Sequence, residues 1–119
     1  MVNGLVKQRI SEFIKYGVFE DSYCLLLQDN EDIIGFSIGY FEQFDDLKAY
    51  DLIEIVINYK YQNMGYGSKF MIELEKRVKD LGASMVQLQA VNDEMHNKFY
   101  DKLEYKDATN FTLKSKWLD

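Results

Sequence analysis

The chain has 119 residues, of which 47% are apolar and 29% charged. This is the composition of an ordered globular protein, not of a disordered one, and the length fits a single domain over residues 1–119. The formal net charge of −6 argues against a nucleic-acid partner, because phosphate backbones are bound by surfaces with a surplus of Lys and Arg. A cationic partner is electrostatically easier.

The sequence contains no signal that would place it in or across a membrane. No apolar run approaches the roughly 18 residues of a membrane-spanning helix, and the amino terminus lacks the basic and then apolar layout of a secretory signal. We therefore expect a cytoplasmic location and no membrane partner. The single cysteine, Cys24, lies in the apolar stretch 23–27, so it is expected in the core, and neither an internal disulfide nor a cysteine-based metal site is expected.

The first third of the chain predicts a helix followed by a hairpin. Helical spacing over residues 5–14, with Gly17 as a stop, is shown by Leu5, Val6, Ile10, Phe13 and Ile14. Strand-forming residues at 23–28 and 33–41 flank a polar turn and predict two antiparallel strands. The acidic residues of the following segment, 42–48, are predicted to lie in a loop: Glu42, Asp45 and Asp46.

The remaining segments alternate between strand and helix patterns. The β-branched run in 50–58 predicts a buried central strand, and a long amphipathic helix is predicted from Gly65 to a left-handed end at Gly82. A strand at 85–91, a helix at 94–103 and a final strand at 110–117 complete the pattern. This order predicts an α/β (α+β) protein with one mixed sheet flanked by helices.

The chemistry is concentrated between the central strand and the long helix. Its sequence there is Gln62-Asn63-Met64-Gly65-Tyr66-Gly67-Ser68. Glycines let a backbone approach a ligand closely, and the N–H groups of a first helical turn bind anions such as a diphosphate. A P-loop would end in Gly-Lys-Ser/Thr and a dinucleotide fingerprint would have a third glycine where Phe70 stands. The alternative that two glycines merely begin a helix stays open at this point.

Two motifs resemble one known family. Gln62-x-x-Gly65-x-Gly67 resembles the acetyl-CoA pyrophosphate loop of the GNAT superfamily of N-acetyltransferases. A second matching piece, residues 92–105, resembles that family's Asn, Phe-Tyr, Leu-Gly-Phe signature through Asn92, Phe99, Tyr100, Leu103 and Tyr105. The resemblance implies a mixed, mostly antiparallel central sheet with flanking helices.

The chain departs from the family pattern at two places. Glu104 stands where the family usually has glycine, at a position expected to need a left-handed backbone. The predicted first helix also leaves no room for the strand that usually opens this fold. A sheet lacking its first strand has an open edge, so we expect a homodimer.

The resemblance implies acetyl-CoA as the acyl donor. Its pantetheine arm would lie in a gap between the strands at 50–58 and 85–91, held by backbone groups of Ile55, Val56 and Ile57, and an N–H of Ile55 or Val56 would stabilise the oxyanion. The diphosphate would be bound by residues 62–68, which comprise Gln62, Asn63, Met64, Gly65, Tyr66, Gly67 and Ser68. Asn92 is also expected to contact the cofactor.

The catalytic candidates follow from the proton transfers that amine acetylation needs. An alkyl amine is neutral in only roughly one molecule in 2,500 at pH 7, so a base is expected, and the candidates are Asp51 and Glu54. Period-two alternation puts these two carboxylates on opposite faces unless a bulge intervenes. Tyr100 is implied as the acid that protonates the CoA thiolate.

The acceptor is expected to be a primary amine, whether of a polyamine, an aminoglycoside or a protein. An alternative from a different class stays open, in which the chain is a non-catalytic CoA-binding or dimerisation module with a degenerate GNAT fold. No metal is expected in either case.

Overall fold

The computed structural model describes residues 8–13 and 21–119. The chain divides into two compact units, Met1–Gln89 and Ala90–Asp119, and each is described by itself. None of the described helices is both long and apolar enough to span a membrane.

The first unit is built on a five-stranded sheet with the strands in chain order. Strands one to four pair antiparallel, and the fifth pairs parallel with the fourth. The strands are β1 (Gln8–Phe13), β2 (Cys24–Asp29), β3 (Asp32–Phe44), β4 (Leu47–Ile57) and β5 (Met85–Leu88). A 3₁₀ turn at Tyr59–Tyr61 and helix α1 (Tyr66–Asp80) connect β4 to β5, as the crossover between parallel strands requires.

The hydrophobic core lies between α1 and the sheet. The buried apolar stripe of α1 consists of Phe70, Met71, Leu74 and Val78, and the helix lies against β4. Tyr50 on β4 is fully buried, and a Cβ on Gly39 would lie 2.3 Å from its hydroxyl, so only glycine fits there. The Tyr50 hydroxyl donates to the carbonyl of Tyr23 at 2.6 Å. Cys24 is buried, as expected.

The amino-terminal prediction is wrong over the described residues. Residues 8–13 form strand β1 and not a helix, while Leu5, Val6, Ile14 and Gly17 lie outside the described residues. A side chain and a backbone group of β1 are tied to α1: Gln8 Nε2 donates to the Tyr66 hydroxyl at 2.8 Å, and Arg77 Nη2 donates to the Ile10 carbonyl at 3.0 Å. The free edge of β2 supplies a ladder of hydrogen bonds, which outweighs the weak helical periodicity of so short a segment.

The expected absence of a first strand is therefore corrected. β1 pairs with β2 along its whole length, from Gln8 opposite Asp29 to Phe13 opposite Cys24. The edge of β2 is covered, and the reason given for a homodimer no longer applies to that strand.

The acidic segment at 42–48 is also corrected, because most of it belongs to strands. β3 runs to Phe44 and β4 begins at Leu47, so only Asp45 and Asp46 form the turn. Asp45 adopts a left-handed conformation with φ of 45°, which two-residue hairpin turns require. Glu42 therefore has the fixed position of a strand residue.

The second unit contains helix α2 (Glu94–Lys102) and the carboxyl-terminal segment. The strand predicted at 110–117 is wrong, since residues 105–119 form neither helix nor strand. Phe111 and Trp117 are 75% and 92% exposed. Alternation of apolar residues favours a strand, but a strand also needs a partner for its backbone groups, and the sequence pattern does not supply one.

Candidate active site

The site of the first unit begins where β4 and β5 separate. Their parallel pairing runs from Ala49 opposite Met85 to Leu52 opposite Leu88 and ends there, although β4 continues to Ile57. Along Ile53–Ile57 the strand bonds β3 on one side only. Within the described chain, the N–H and C=O groups on its other side have no strand partner, as the predicted pantetheine gap requires.

The segment after β4 is folded back onto the strand by Gln62. Its Nε2 donates to the carbonyl of Ile57 at 2.9 Å, and its N–H donates to the carbonyl of Tyr59 at 3.3 Å. A glutamine is suited to this position because an amide side chain can bond a backbone carbonyl without adding charge. Gln62 thus fixes the loop that follows beside the open part of β4.

The backbone amides at the start of α1 are unpaired. Gly65 precedes the helix and offers no side-chain cap, and the first turn contains no acidic residue. Among the described residues, no hydrogen bond uses the N–H groups of 64–68, and the first amide to be bonded is that of Lys69, which donates to the Gly65 carbonyl at 3.2 Å. These N–H groups and the positive end of the helix dipole form an anion-binding arrangement.

Glycine is required at position 65 by the backbone conformation. Its φ is +85°, in the region that L side chains rarely adopt, yet a Cβ there would meet no protein atom within 4 Å. The space beside Gly65 is therefore open to a ligand. Asn63, with φ of 63°, makes a second left-handed step in the same loop.

A β-bulge decides the relation between the two candidate bases. Tyr40 lies opposite Asp51, Gly39 opposite Leu52 and Ile38 opposite Glu54, so Ile53 is the extra residue of the bulge. Because Ile38 and Tyr40 share a face of β3, their partners Asp51 and Glu54 share a face of the sheet as well. The sequence did not decide whether a bulge lies between the two carboxylates, and the structure contains one.

The carboxylate of Asp51 lies in a polar cluster that spans three strands. Gln87 on β5 is directly opposite Asp51, and its Nε2 donates to Asp51 Oδ1. Asp51 Oδ2 is buried and has no hydrogen-bond partner among the described residues. On β3, the negative charge of Asp51 raises the pKa of the Tyr40 phenol, and interaction with Asp51 raises the pKa of the Glu42 carboxyl.

Sequence reasoning missed Tyr40, Glu42 and Gln87 as members of this cluster. The signal was the turn at Asp45–Asp46: counting back from it pairs Glu42 with Ala49 and Tyr40 with Asp51. Glu54, in contrast, is exposed on the outer part of β4. The surroundings of the two candidate bases are therefore different.

The candidate residues of the second unit lie on and beside α2. Tyr100 is half-buried; its ring makes edge contacts with Phe99 at 4.9 Å and Tyr105 at 5.6 Å between centroids. Burial raises the pKa of its phenol, which keeps the hydroxyl protonated at neutral pH. Asn92 Oδ1 accepts a hydrogen bond from Asn97 Nδ2 at 3.1 Å. Glu104 is left-handed with φ of 67°, so that prediction is confirmed.

Comparison with known proteins agrees with this geometry. Residues 5–105 match the model of the acetyltransferase (GNAT) family, and a search of curated proteins gave no match. A GNAT family acetyltransferase from Staphylococcus aureus has 22% identity and a TM-score of 0.66, and 82% of this chain covers 67% of that one. Glucosamine-6-phosphate N-acetyltransferase from Arabidopsis thaliana has 19% identity and a TM-score of 0.69, with coverage of 87% and 70%.

A third solved structure covers nearly the whole of both chains. It is an aminoglycoside acetyltransferase from an uncultured soil metagenomic sample, in complex with sisomicin, with 12% identity, a TM-score of 0.68, and coverage of 96% of this chain and 100% of that one. At these identities the structures show a shared fold.

In this fold, β4 and β5 separate beyond Leu52, and the uncapped start of α1 follows the end of β4. Because the family model covers most of the sequence, the chain belongs to the acetyltransferase (GNAT) family and is an N-acetyltransferase.

Proposed function

We propose that this protein transfers an acetyl group from acetyl-CoA to a primary amine by direct attack of the amine on the thioester. The observation that carries the proposal is the part of β4 beyond Leu52, which β5 does not pair, next to the uncapped start of α1. A diphosphate and a pantetheine amide chain are groups that these two features can bind.

In this proposal the donor is bound largely by backbone. The N–H groups of 64–68 bind the diphosphate, with Gln62 and Asn63 shaping the loop, and Ile55, Val56 and Ile57 bond the pantetheine. An N–H of Ile55 or Val56 stabilises the negative charge that develops on the thioester oxygen. Asn92 supplies a further cofactor contact.

The carboxylates of β4 handle the proton of the acceptor. Asp51 is the favoured base because its Oδ2 is buried and unpartnered and its Oδ1 is held by Gln87, an arrangement that orients a proton acceptor. Glu54 shares the face and is proposed to attract the cationic acceptor.

Tyr100 is proposed to protonate the departing thiolate. Its raised pKa keeps the proton available at neutral pH. Unperturbed phenol and thiol pKa values near 10 and 8.5 make this transfer only mildly uphill.

The acceptor class follows from charge. The acidic residues of β3 and β4 favour an amine that carries positive charge, as polyamines, aminoglycosides and protein amino groups do. The structurally similar aminoglycoside acetyltransferase was solved in complex with the aminoglycoside sisomicin, which supports a cationic amine as the acceptor. We also infer a cytoplasmic location. The homodimer expected from an open sheet edge is not proposed again, because β1 covers that edge.

The experiment measures thiol release from acetyl-CoA with a panel of polyamines, aminoglycosides and lysine peptides. Turnover is expected with at least one amine, and Tyr100→Phe is expected to lower kcat by about 100-fold or more with an unchanged Kd for acetyl-CoA. Acetyl-CoA binding with no turnover on any amine would favour the alternative, a non-catalytic CoA-binding or dimerisation module. Full turnover by the variant would remove Tyr100 from its role.

Binding is checked first by thermal shift. Acetyl-CoA is expected to raise the melting temperature, whereas NADH and ATP are not, because a ligand stabilises the folded state to which it binds. If none of the three ligands changed the melting temperature, the assignment of residues 62–68 as a diphosphate-binding loop would have no support.

A further inference from the structure

Two carboxyl groups on neighbouring strands meet on one face of the sheet. Asp51 on β4 lies opposite Tyr40 on β3, and Glu42 lies two residues beyond Tyr40 on the same face. Side chains at such diagonal positions of an antiparallel pair are within reach of each other. Glu42 is half-buried, and its interaction with Asp51 raises the pKa of its carboxyl.

This carboxyl pair lacks a neutralising cation on its own strands. Besides Glu42 and Asp51, the polar residues on this face are Tyr40 on β3 and Glu54 farther along β4. Gln87 on β5 lies opposite Asp51. The one basic residue among β3, β4 and β5 is Lys48, which lies on the opposite face of the sheet from the pair. Its ammonium lies 4.5 Å from the ring centroid of Phe41 and donates to the Leu81 carbonyl.

The hydrogen bonds of Asp51 leave one oxygen for its neighbour. Oδ1 is occupied by Gln87, while Oδ2 is buried without a hydrogen-bond donor among the described residues. A proton shared with Glu42 would satisfy that oxygen. Two adjacent carboxylates repel each other, so the pair takes up its first proton at higher pH than a lone carboxyl would.

We propose that Glu42 is a positioning residue that forms a proton-sharing pair with Asp51 and so makes Asp51 an effective base toward the acceptor ammonium. This inference rests on the proposed function. In the step, the N–H bond of the ammonium breaks and an O–H bond to Asp51 forms. The nitrogen keeps the electron pair and attacks the thioester carbon, and the C–S bond breaks as the carbonyl re-forms. Tyr100, the proposed acid, protonates the departing thiolate, and the second proton of the nitrogen leaves to water. The proton on Asp51 is shared with Glu42 until it passes to water.

The pH profile of kcat/KM tests this pair. Activity requires the pair to be free to accept a proton, so activity falls on the acid side as the pair becomes protonated. Removing the carboxyl of Glu42 ends the repulsion between the two carboxylates. The acid limb is therefore expected to move to lower pH, and the plateau is expected to fall by about tenfold or more.

The variants are Glu42→Gln and, as a matched control, Asp46→Asn, which removes the same charge from the exposed turn of the same hairpin. The profile is measured with acetyl-CoA and one amine that the wild type acetylates. Asp46→Asn is expected to keep the wild-type limb, and Glu42→Asp is expected to restore part of both the limb and the plateau.

Coincident profiles for Glu42→Gln and Asp46→Asn would overturn the role of Glu42 while leaving the acetyltransferase proposal intact. A wild type that acetylates no amine would overturn the proposed function itself. Each variant is first checked for thermal stabilisation by acetyl-CoA. Should Glu42→Gln fail this check, Glu42→Ala is measured in its place against the same two outcomes.

Discussion

The two helices of the described chain begin in opposite ways. α2 starts at Asp93, whose carboxylate accepts from the backbone N–H of His96 at 2.8 Å, and Glu94 adds negative charge to its first turn. α1 starts at Gly65, with no side-chain cap and no acidic residue in its first turn. The start of the first helix therefore has no side-chain cap, whereas one amide of the second, that of His96, is capped.

This difference separates a helix that is stabilised at its start from one that can bind a ligand there. A capped N-terminus satisfies its own donors and is closed to an anion. An uncapped one loses that stabilisation, and its free N–H groups and positive dipole end are available to a phosphate. The following predictions test whether each start has the role that its chemistry indicates.

The largest effect is expected from Gly65→Ala. Alanine at φ of +85° is strained by about 1–2 kcal/mol, so the loop is expected to change its conformation and turn its amides away. The Kd for acetyl-CoA is then expected to rise by about tenfold or more, which corresponds to about 1.4 kcal/mol or more. Isothermal titration calorimetry measures it.

The matched control is Gly82→Ala at the opposite end of α1. Gly82 is also left-handed, with φ of 104°, and a Cβ there would meet Lys48 only at an ordinary 3.7 Å. Both variants are expected to lose similar stability, but only the one at 65 is expected to lose affinity. A similar loss of affinity in both would show that the glycine at 65 has no special role in binding.

An intermediate effect is expected from Asp93→Ala, which removes the cap of α2. Hydrogen bonds from the backbone N–H and the side chain of His96 lower the pKa of the Asp93 carboxyl from its usual 3.8. A lowered pKa contributes stability above the unfolded-state pKa, and that stability is lost as the pH falls through the folded-state pKa.

The melting temperature of Asp93→Ala is therefore expected to be below that of the wild type at neutral pH. The gap should close as the pH falls below the usual pKa of the carboxyl. A gap that persisted unchanged in acid would mean that the carboxylate is not what stabilises the start of this helix. Circular dichroism melts at a series of pH values measure both curves.

The smallest effect is expected at the other end of α2, where Glu104 adopts φ of 67°. Glu104→Gly relieves the left-handed strain, and the free energy of unfolding in urea is expected to rise by about 1 kcal/mol. Asn30→Gly, in a hairpin turn with φ of 55°, is the control. Asparagine tolerates this conformation better, so Asn30→Gly should raise the free energy of unfolding by less than Glu104→Gly does. An equal rise in both variants would argue against strain at Glu104.

Much of the fold and of the cofactor loop could be predicted locally. The β-branched run of β4, the amphipathic stripe of α1 and the glycines at 65 and 82 act over a few residues, and the structure has each element where it was predicted. The expectation that the β-branched run is buried is wrong: Ile53 and Val56 are 60% and 37% exposed, because β5 pairs with β4 only as far as Leu52. The left-handed Glu104 could be predicted from the family resemblance, because it stands where the family usually has glycine.

The errors in secondary structure lie in segments whose conformation depends on pairing with a distant part of the chain. Residues 8–13 have a weak helical spacing but bond the edge of β2. Residues 110–117 alternate like a strand yet form none. In both cases the outcome depends on a backbone partner, which local sequence does not specify.

The sequence by itself determined the family, the order of the main elements and the glycine loop that begins α1, because glycine conformation and hydrophobic periodicity are local properties. Only the tertiary structure decided how the acidic residues are grouped. The bulge at Ile53 turns Glu54 onto the face of Asp51, and the turn at 45–46 sets Glu42 beside it. Strand register depends on how whole strands pair, and a shift of one residue would have placed these carboxylates on opposite faces.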